Sequence, residues 1–197
     1  MSILTGLEIK RQVELGNIVI DPFDEKCLNP NSYNFHLSNK LLVYVHGQVN
    51  LGFYGIYSML VPSPDYPDRI LDMAKDNPVQ EIEIPPTGII LYPGRLFLGC
   101  TTEYTETHCF APVIEGRSSV GRLGVQVHLT AGFGDCKFMG DWTLELTVVH
   151  PIRIYAGVAI CQIAYEMLVG EQTPYTGKYQ GQRGPKASKL WKDFPLK

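Results

Sequence analysis

The sequence has no C-x-x-C pair. Its cysteines, Cys27, Cys100, Cys109, Cys136 and Cys161, are odd in number and widely spaced, which excludes the common zinc signatures and dithiol redox motifs. Scattered single thiols fit a reducing compartment. Charge is scarce as well: 19% of residues are charged and the formal net charge is −3. That removes the basic field expected of a nucleic-acid binder, so any anion must be gripped locally. No apolar run approaches the length of a membrane span, and the N-terminus lacks the basic-then-apolar pattern of a secretory signal. These absences read as a soluble, cytoplasmic protein with neither a nucleic-acid nor a membrane partner.

What is present is punctuation. The chain carries 19 glycines, 14 prolines, 11 tyrosines and 8 phenylalanines in 197 residues, the composition of a β protein with tight turns and one ample domain. One helix is predicted, over residues 5–15. Thr5 and Glu8 form a capping box there, Ile9 and Val13 share a face, and Gly16 stands at the C-terminal stop. Strands follow at 18–20, 32–39 and 41–45; His36 falls on the polar face of its strand and reads as solvated. Over about 47–80 prolines break the pattern into an irregular excursion, with room for one helical turn at 69–75. Residues 89–98 read as a hairpin around Pro93-Gly94, and 153–163 as its echo around Ala156-Gly157. Short strands of this kind make a sandwich, jelly roll or distorted barrel. After Leu168 hydrophobicity falls. The domain is set at 1–174, with a mobile tail at 175–197.

Three stretches carry chemistry. Glu115-Gly-Arg-Ser-Ser-Val-Gly-Arg-Leu-Gly124 brackets two hydroxyls with Arg117 and Arg122. Arginine forks and hydroxyls grip phosphate oxygens, although Ser118 or Ser119 could equally be the N-cap of a short helix. In Gly140-Asp-Trp-Thr-Leu-Glu-Leu-Thr-Val-Val149, alternation puts Trp142, Leu144, Leu146 and Val148 on one face and Thr143, Glu145 and Thr147 on the other. Glu145 is then either part of a wet strand face or, in a cleft, a base towards water. Between them, His128-Leu-Thr-Ala-Gly-Phe-Gly-Asp135 offers a tight bend and an acid; Asp135 is a turn residue or a holder of a sugar hydroxyl or water. His128 reads as a strand histidine with a satisfied ring. The tail, with Tyr175, Lys178, Tyr179, Gln182 and Arg183 among glycines, is a disordered end or a lid.

Taken together these stretches resemble the dCTP deaminase family of the dUTPase-like superfamily. The resemblance also rests on Val19-Ile-Asp-Pro-Phe23, on Asn29-Pro-Asn-Ser-Tyr-Asn-Phe-His-Leu-Ser-Asn39, on Leu91-Tyr-Pro-Gly94, on Thr130-Ala-Gly-Phe133 and on Lys178-Tyr-Gln-Gly-Gln-Arg-Gly-Pro185. It implies a mainly β, distorted jelly roll of the dUTPase-like type, assembled as a homotrimer with sites shared between copies. It also implies zinc-independent hydrolytic deamination of dCTP to dUTP, in keeping with the lack of the zinc-deaminase pattern. Glu145 would be the general base, with Ser118 and Arg122 beside it. Arg117, Ser119, Val120, Gly121, Ala131, Asp135, Thr143, Leu144, Gln162, Tyr175, Lys178 and Gln182 would bind nucleotide. No protein metal site is implied; Mg²⁺ would ride on the triphosphate, and dTTP would be an inhibitor. The resemblance leaves an alternative end product, dUMP with diphosphate from a bifunctional enzyme. A nucleotide-binding regulator without turnover is the other reading. Some positions depart from the family pattern. Asn34 stands for Asp, Ser38 for Gly, Gly134 and Cys136-Lys137 replace an Ile-Asp-Pro-Gly turn, and Trp142 is bulkier than usual.

Overall fold

The structure is a computed structural model that describes residues 2–45 and 70–195. The helix α1 (Gly6–Glu14) opens the fold, with Thr5 Oγ1 accepting from the Glu8 N–H at 3.3 Å and Gly16 at φ +74°. Only half of the capping box forms, because the Glu8 carboxylate turns outward to Gln12 (2.6 Å) and Arg11 instead of back to the N-cap. Among the described residues eleven strands follow: β1 (Ile18–Asp21), β2 (Tyr33–His36), β3 (Lys40–Tyr44), β4 (Val79–Glu83), β5 (Ile89–Leu91), β6 (Phe97–Thr107), β7 (Phe110–Gly116), β8 (Val125–Gln126), β9 (Met139–Val148), β10 (Ile152–Ile154) and β11 (Ala159–Met167). The four-residue helix α2 (Ser118–Gly121) lies between β7 and β8. No helix among the described residues is long and apolar enough to cross a membrane. The chain is therefore mainly β, as its turn-rich composition implies.

The largest sheet runs β4-β3-β6-β9-β8, with β1 added against the far half of β6. A second sheet runs β2-β11-β7, and a small ribbon pairs β10 with β5. Between them lies one apolar core in which Tyr33, Phe35, Leu37, Phe97, Leu146, Ile163 and Tyr165 are fully buried. Each large side chain removed from water there contributes roughly 1.5–3 kcal/mol. On β9 the alternation falls as the pattern requires: Leu144, Leu146 and Val148 face the core, while Thr143, Glu145 and Thr147 are half-buried on the other side.

Both predicted hairpins are corrected. β5 does not pair with β6, and β10 does not pair with β11; instead the leading members pair with each other, Ile90 opposite Arg153. Pro93-Gly94 and Ala156-Gly157 are corners where the chain leaves the ribbon for another sheet, which short strands beside a tight turn do not disclose. His36 is not solvated either. Its Nδ1 lies 2.5 Å from Oε1 of the buried Glu103, whose Oε2 accepts from the His36 N–H at 2.9 Å. The predicted excursion over 47–80 falls largely outside the described residues. Within 70–80 the chain makes one turn around Asp72, which accepts from the Ala74 and Lys75 N–H groups. Its end, β4, pairs with β3.

Candidate active site

Strand β9 carries the central carboxylate. The Glu145 N–H donates to the Val127 carbonyl (2.8 Å), and the Leu129 N–H donates to Glu145 Oε2 (2.9 Å). The loop after β8 therefore wraps around the carboxylate and fixes one of its oxygens. Among the described residues Oε1 has no partner and is free for a ligand.

The segment from Glu115 to Gly124 reaches the same region from β7. Arg117 is the N-cap of α2 and donates through its guanidinium to the Ala159 carbonyl (2.9 Å), which pins the segment to β11. Ser118 and Ser119 lie inside the helix rather than at its cap. Their hydroxyls are exposed and have no partner among the described residues, so the capping explanation for them fails. Val120 leans on the core, and Gly121 has nothing within 4 Å of where a Cβ would sit. Arg122 is exposed and makes no ion pair with Glu145 within the described chain. The connection between them is the ladder: α2 runs into β8, which pairs with β9 at Val125–Val148 and Gln126–Thr147.

The bend at Ala131-Gly132 follows. Ala131 is exposed; the Gly132 carbonyl accepts from the Ile114 N–H at 2.7 Å, and a Cβ on Gly132 would meet the Ile114 oxygen at 2.5 Å. The His128 ring packs against this bend and is not satisfied as expected: Nδ1 is buried without a partner, while Nε2 stands 3.6 Å from Glu115. His128 also lies in a loop beyond β8 rather than in a strand.

Asp135 begins a turn closed by Phe138 N–H donating to its carbonyl (3.2 Å), with Lys137 at φ +64°. This is the turn geometry that calls for glycine at its third position. Lys137 thus adopts the conformation of the glycine it replaces, and the turn survives the departure. The other departures compensate each other. A Cβ on Gly134 would meet the Trp142 ring at 2.3 Å, so the small residue makes room for the large one. The indole N–H then donates to Thr105 (2.9 Å), and Phe138 packs on the ring with centroids 4.7 Å apart. Residues 133–136, 168–169 and 171–177 line an open cleft of about 470 Å³ that includes Asp135, Phe133 and Tyr175.

The tail, expected to be mobile, has a docked position. The Tyr175 N–H donates to the Cys136 carbonyl (3.0 Å) and its ring meets Phe138. Gln182 is buried, bridges in parallel to Gly140 and donates to the Asp141 carbonyl at 2.6 Å; its Oε1 is buried without a partner. Gly184 N–H and Arg183 both engage the Asp141 carboxylate, and the Lys186 N–H reaches Thr143 Oγ1 at 3.1 Å. Lys178 pairs with Asp193. Thr143 is thus covered by the tail, and Leu144 is buried in the core. Gln162 is spent inside the sheet, accepting from the Ser32 hydroxyl (2.8 Å) and donating to the Gly116 carbonyl (3.2 Å) just before Arg117. Sequence reasoning passed over Leu129, which acts through its backbone, and Asp141 and Gln180, which look like ordinary turn and tail residues.

A family model described as dCTP deaminase-like matches residues 3–168. The chain is 50% identical over 196 residues to "dCTP deaminase, dUMP-forming" of Leptospira biflexa serovar Patoc, covering 99% of both chains. Proteins of the same name from Cytophaga hutchinsonii and Clostridium acetobutylicum are each 48% identical over 193 residues, covering 98% of both chains. The fold is similar to a crystal structure of 2'-deoxycytidine 5'-triphosphate deaminase from Agrobacterium tumefaciens. That match has a TM-score of 0.57 and 18% identity, and covers 84% of this chain and 48% of that one.

Proposed function

The chain belongs to the dCTP deaminase-like family, and on that premise we propose that it converts dCTP to dUMP, ammonia and diphosphate. The dUTP end product implied by the resemblance gives way to the alternative because the relatives at 50% and 48% identity are named dUMP-forming. The observation within the molecule that supports this reading is the Glu145 carboxylate, held at Oε2 by the Leu129 N–H and open at Oε1.

In the first half-reaction Glu145 takes a proton from water as its oxygen bonds to C4 of cytosine. Glu145 passes that proton to N3 and then moves the remaining hydroxyl proton to the amino group, so that the C4–N bond breaks, ammonia leaves and the C4 oxygen becomes a carbonyl. General-base help of this kind is typically worth roughly 10²–10⁴ in rate. In the second, water attacks the α-phosphorus of dUTP and diphosphate leaves. Asp135 serves the sugar side. Arg117, Ser118, Ser119 and Arg122 serve the phosphates and the reacting end, with Gln162 fixing their backbone from behind.

The same reading includes a homotrimer. Ser118, Ser119 and Arg122 are exposed and without partners among the described residues, beside the exposed apolar Leu123, Leu129 and Val149. A neighbouring copy laid on that surface completes the site. Mg²⁺ enters with the substrate, where it neutralises phosphate charge. Among the described residues no three His, Cys, Asp or Glu side chains gather into a cage, and such an ion is commonly shared between substrate phosphates, water and one or two carboxylates. The cytoplasm and inhibition by dTTP belong to the proposal too. Incubation with dCTP, dUTP and dCMP in turn, with chromatography of the products, tests it. dUMP from both triphosphates supports the bifunctional reading, and dUTP accumulating from dCTP returns the simpler one.

A further inference from the structure

The turn that carries Asp135 is not completed by its own sheet. Beyond the turn's internal bond, Lys137 N–H and the Phe138 carbonyl pair with Thr107. Four further backbone groups go to the tail. The Cys136 carbonyl accepts from Tyr175 N–H (3.0 Å), and the Met139 carbonyl accepts from Gly181 N–H (2.8 Å). One side chain takes two more: Gln180 Nε2 donates to the Lys137 carbonyl at 2.7 Å, and Gln180 Oε1 accepts from the Met139 N–H at 3.0 Å. Its amide thus spans the turn just where Lys137 holds a left-handed conformation that its side chain disfavours. Gln180 is half-buried and none of the assigned nucleotide contacts involves it.

We propose that Gln180 is a positioning residue that makes tail docking and Asp135 placement a single event. With the tail docked, the turn is held from both sides and the sugar-side carboxylate is fixed. With the tail away, Lys137 carbonyl and Met139 N–H lose their partners and the turn relaxes. The same latch has a consequence for the two-step reaction, and this part rests on the bifunctional reading above. Bound dUTP, formed by the first step, stays in place for the second only while the tail is down. Gln180 therefore sets how much of the intermediate escapes.

The test compares the parent with Gln180→Ala and Gln180→Glu. The glutamate keeps the acceptor for Met139 N–H and loses the donor to the Lys137 carbonyl. Hydrogen exchange is followed over 135–141 and 175–186, with and without dUTP, and dCTP turnover is resolved into dUTP and dUMP. In the parent both segments slow together on adding nucleotide. In Gln180→Ala they exchange faster, KM rises about tenfold for the loss of the two neutral hydrogen bonds to the turn, kcat for ammonia release changes less, and free dUTP appears. Gln180→Glu falls between. Exchange over 135–141 that matches the parent in Gln180→Ala overturns the proposal. So does a parent-like dUTP:dUMP ratio in that variant when the parent makes dUMP. A parent that makes no dUMP at all fails the bifunctional reading instead, and leaves the latch to be judged by exchange alone.

Discussion

The backbone N–H of Leu129 donates to Oε2 of Glu145 at 2.9 Å. A main-chain donor cannot be rotated away, so the carboxylate is held without occupying its second oxygen. Glu145→Gln retains an oxygen for Leu129 but has no basic group. Its expected effect is a loss of roughly 10²–10⁴ in ammonia release, with dCTP binding by calorimetry kept. Full ammonia release by this variant would remove Glu145 from its role.

Glu103 supports β2 from inside. It is buried and accepts both the His36 N–H and a contact from the ring Nδ1. Glu103→Ala strands both, and is expected to cost roughly 2–4 kcal/mol in urea unfolding. Glu103→Gln keeps an acceptor and costs less. Equal costs for the two would mean that the pair contributes packing alone.

Gly134 and Trp142 behave as one unit. Gly134→Ala drives a methyl into the indole ring, and overpacking of this kind costs about 1–3 kcal/mol. In a Trp142→Leu background the same alanine is expected to cost at least about 1 kcal/mol less, since contacting residues couple in double-mutant cycles. Additive losses would contradict the compensation.

Lys137 at φ +64° is strained by its own Cβ. Lys137→Gly relieves about 1 kcal/mol of left-handed strain and gives back part of it as unfolded-chain entropy. The expected order of stability is Gly at or above Lys, with Lys137→Val lower. A valine variant as stable as the parent would show the turn to be different in solution.

Burial pushes the Cys100 thiol up from 9.0 to about 11, and pushes Cys161, fully inside the core, higher still. Raised in the folded state, these thiols favour folding fully below the unfolded value near 9. The contribution is lost as the unfolded chain ionises above it. Stability is therefore expected to hold from pH 7 to 9 and to fall between 9 and 11. In the folded protein at pH 8, iodoacetamide leaves Cys100 and Cys161 unlabelled; their ready labelling would contradict the burial.

Much of this was legible because it is local. The period of two on β9 put Leu144 and Leu146 inside and Glu145 outside, and Thr5 and Gly16 marked both ends of α1. What failed was non-local. Ile89 to Leu91 gives no sign that its partner is Arg153 and its neighbours rather than the strand just past Pro93-Gly94. His36 looked polar and free because Glu103 lies 67 residues away. The tail looked disordered because its bonds to Cys136, Lys137, Met139 and Asp141 are made by backbone and by amides that composition treats as solvated. At the site, the alternation on β9 gave Glu145 only its outward face and the family resemblance singled it out, while Leu129 bonds through a backbone N–H that leaves no mark in a sequence.

The most direct test of the bifunctional reading is a time course of the purified protein on dCTP with Mg²⁺, counting ammonia, diphosphate, dUTP and dUMP together. The expected result is ammonia and diphosphate in equal amounts, dUMP rising with both, and little free dUTP at any time. Ammonia without diphosphate, with dUTP accumulating in step, would contradict it.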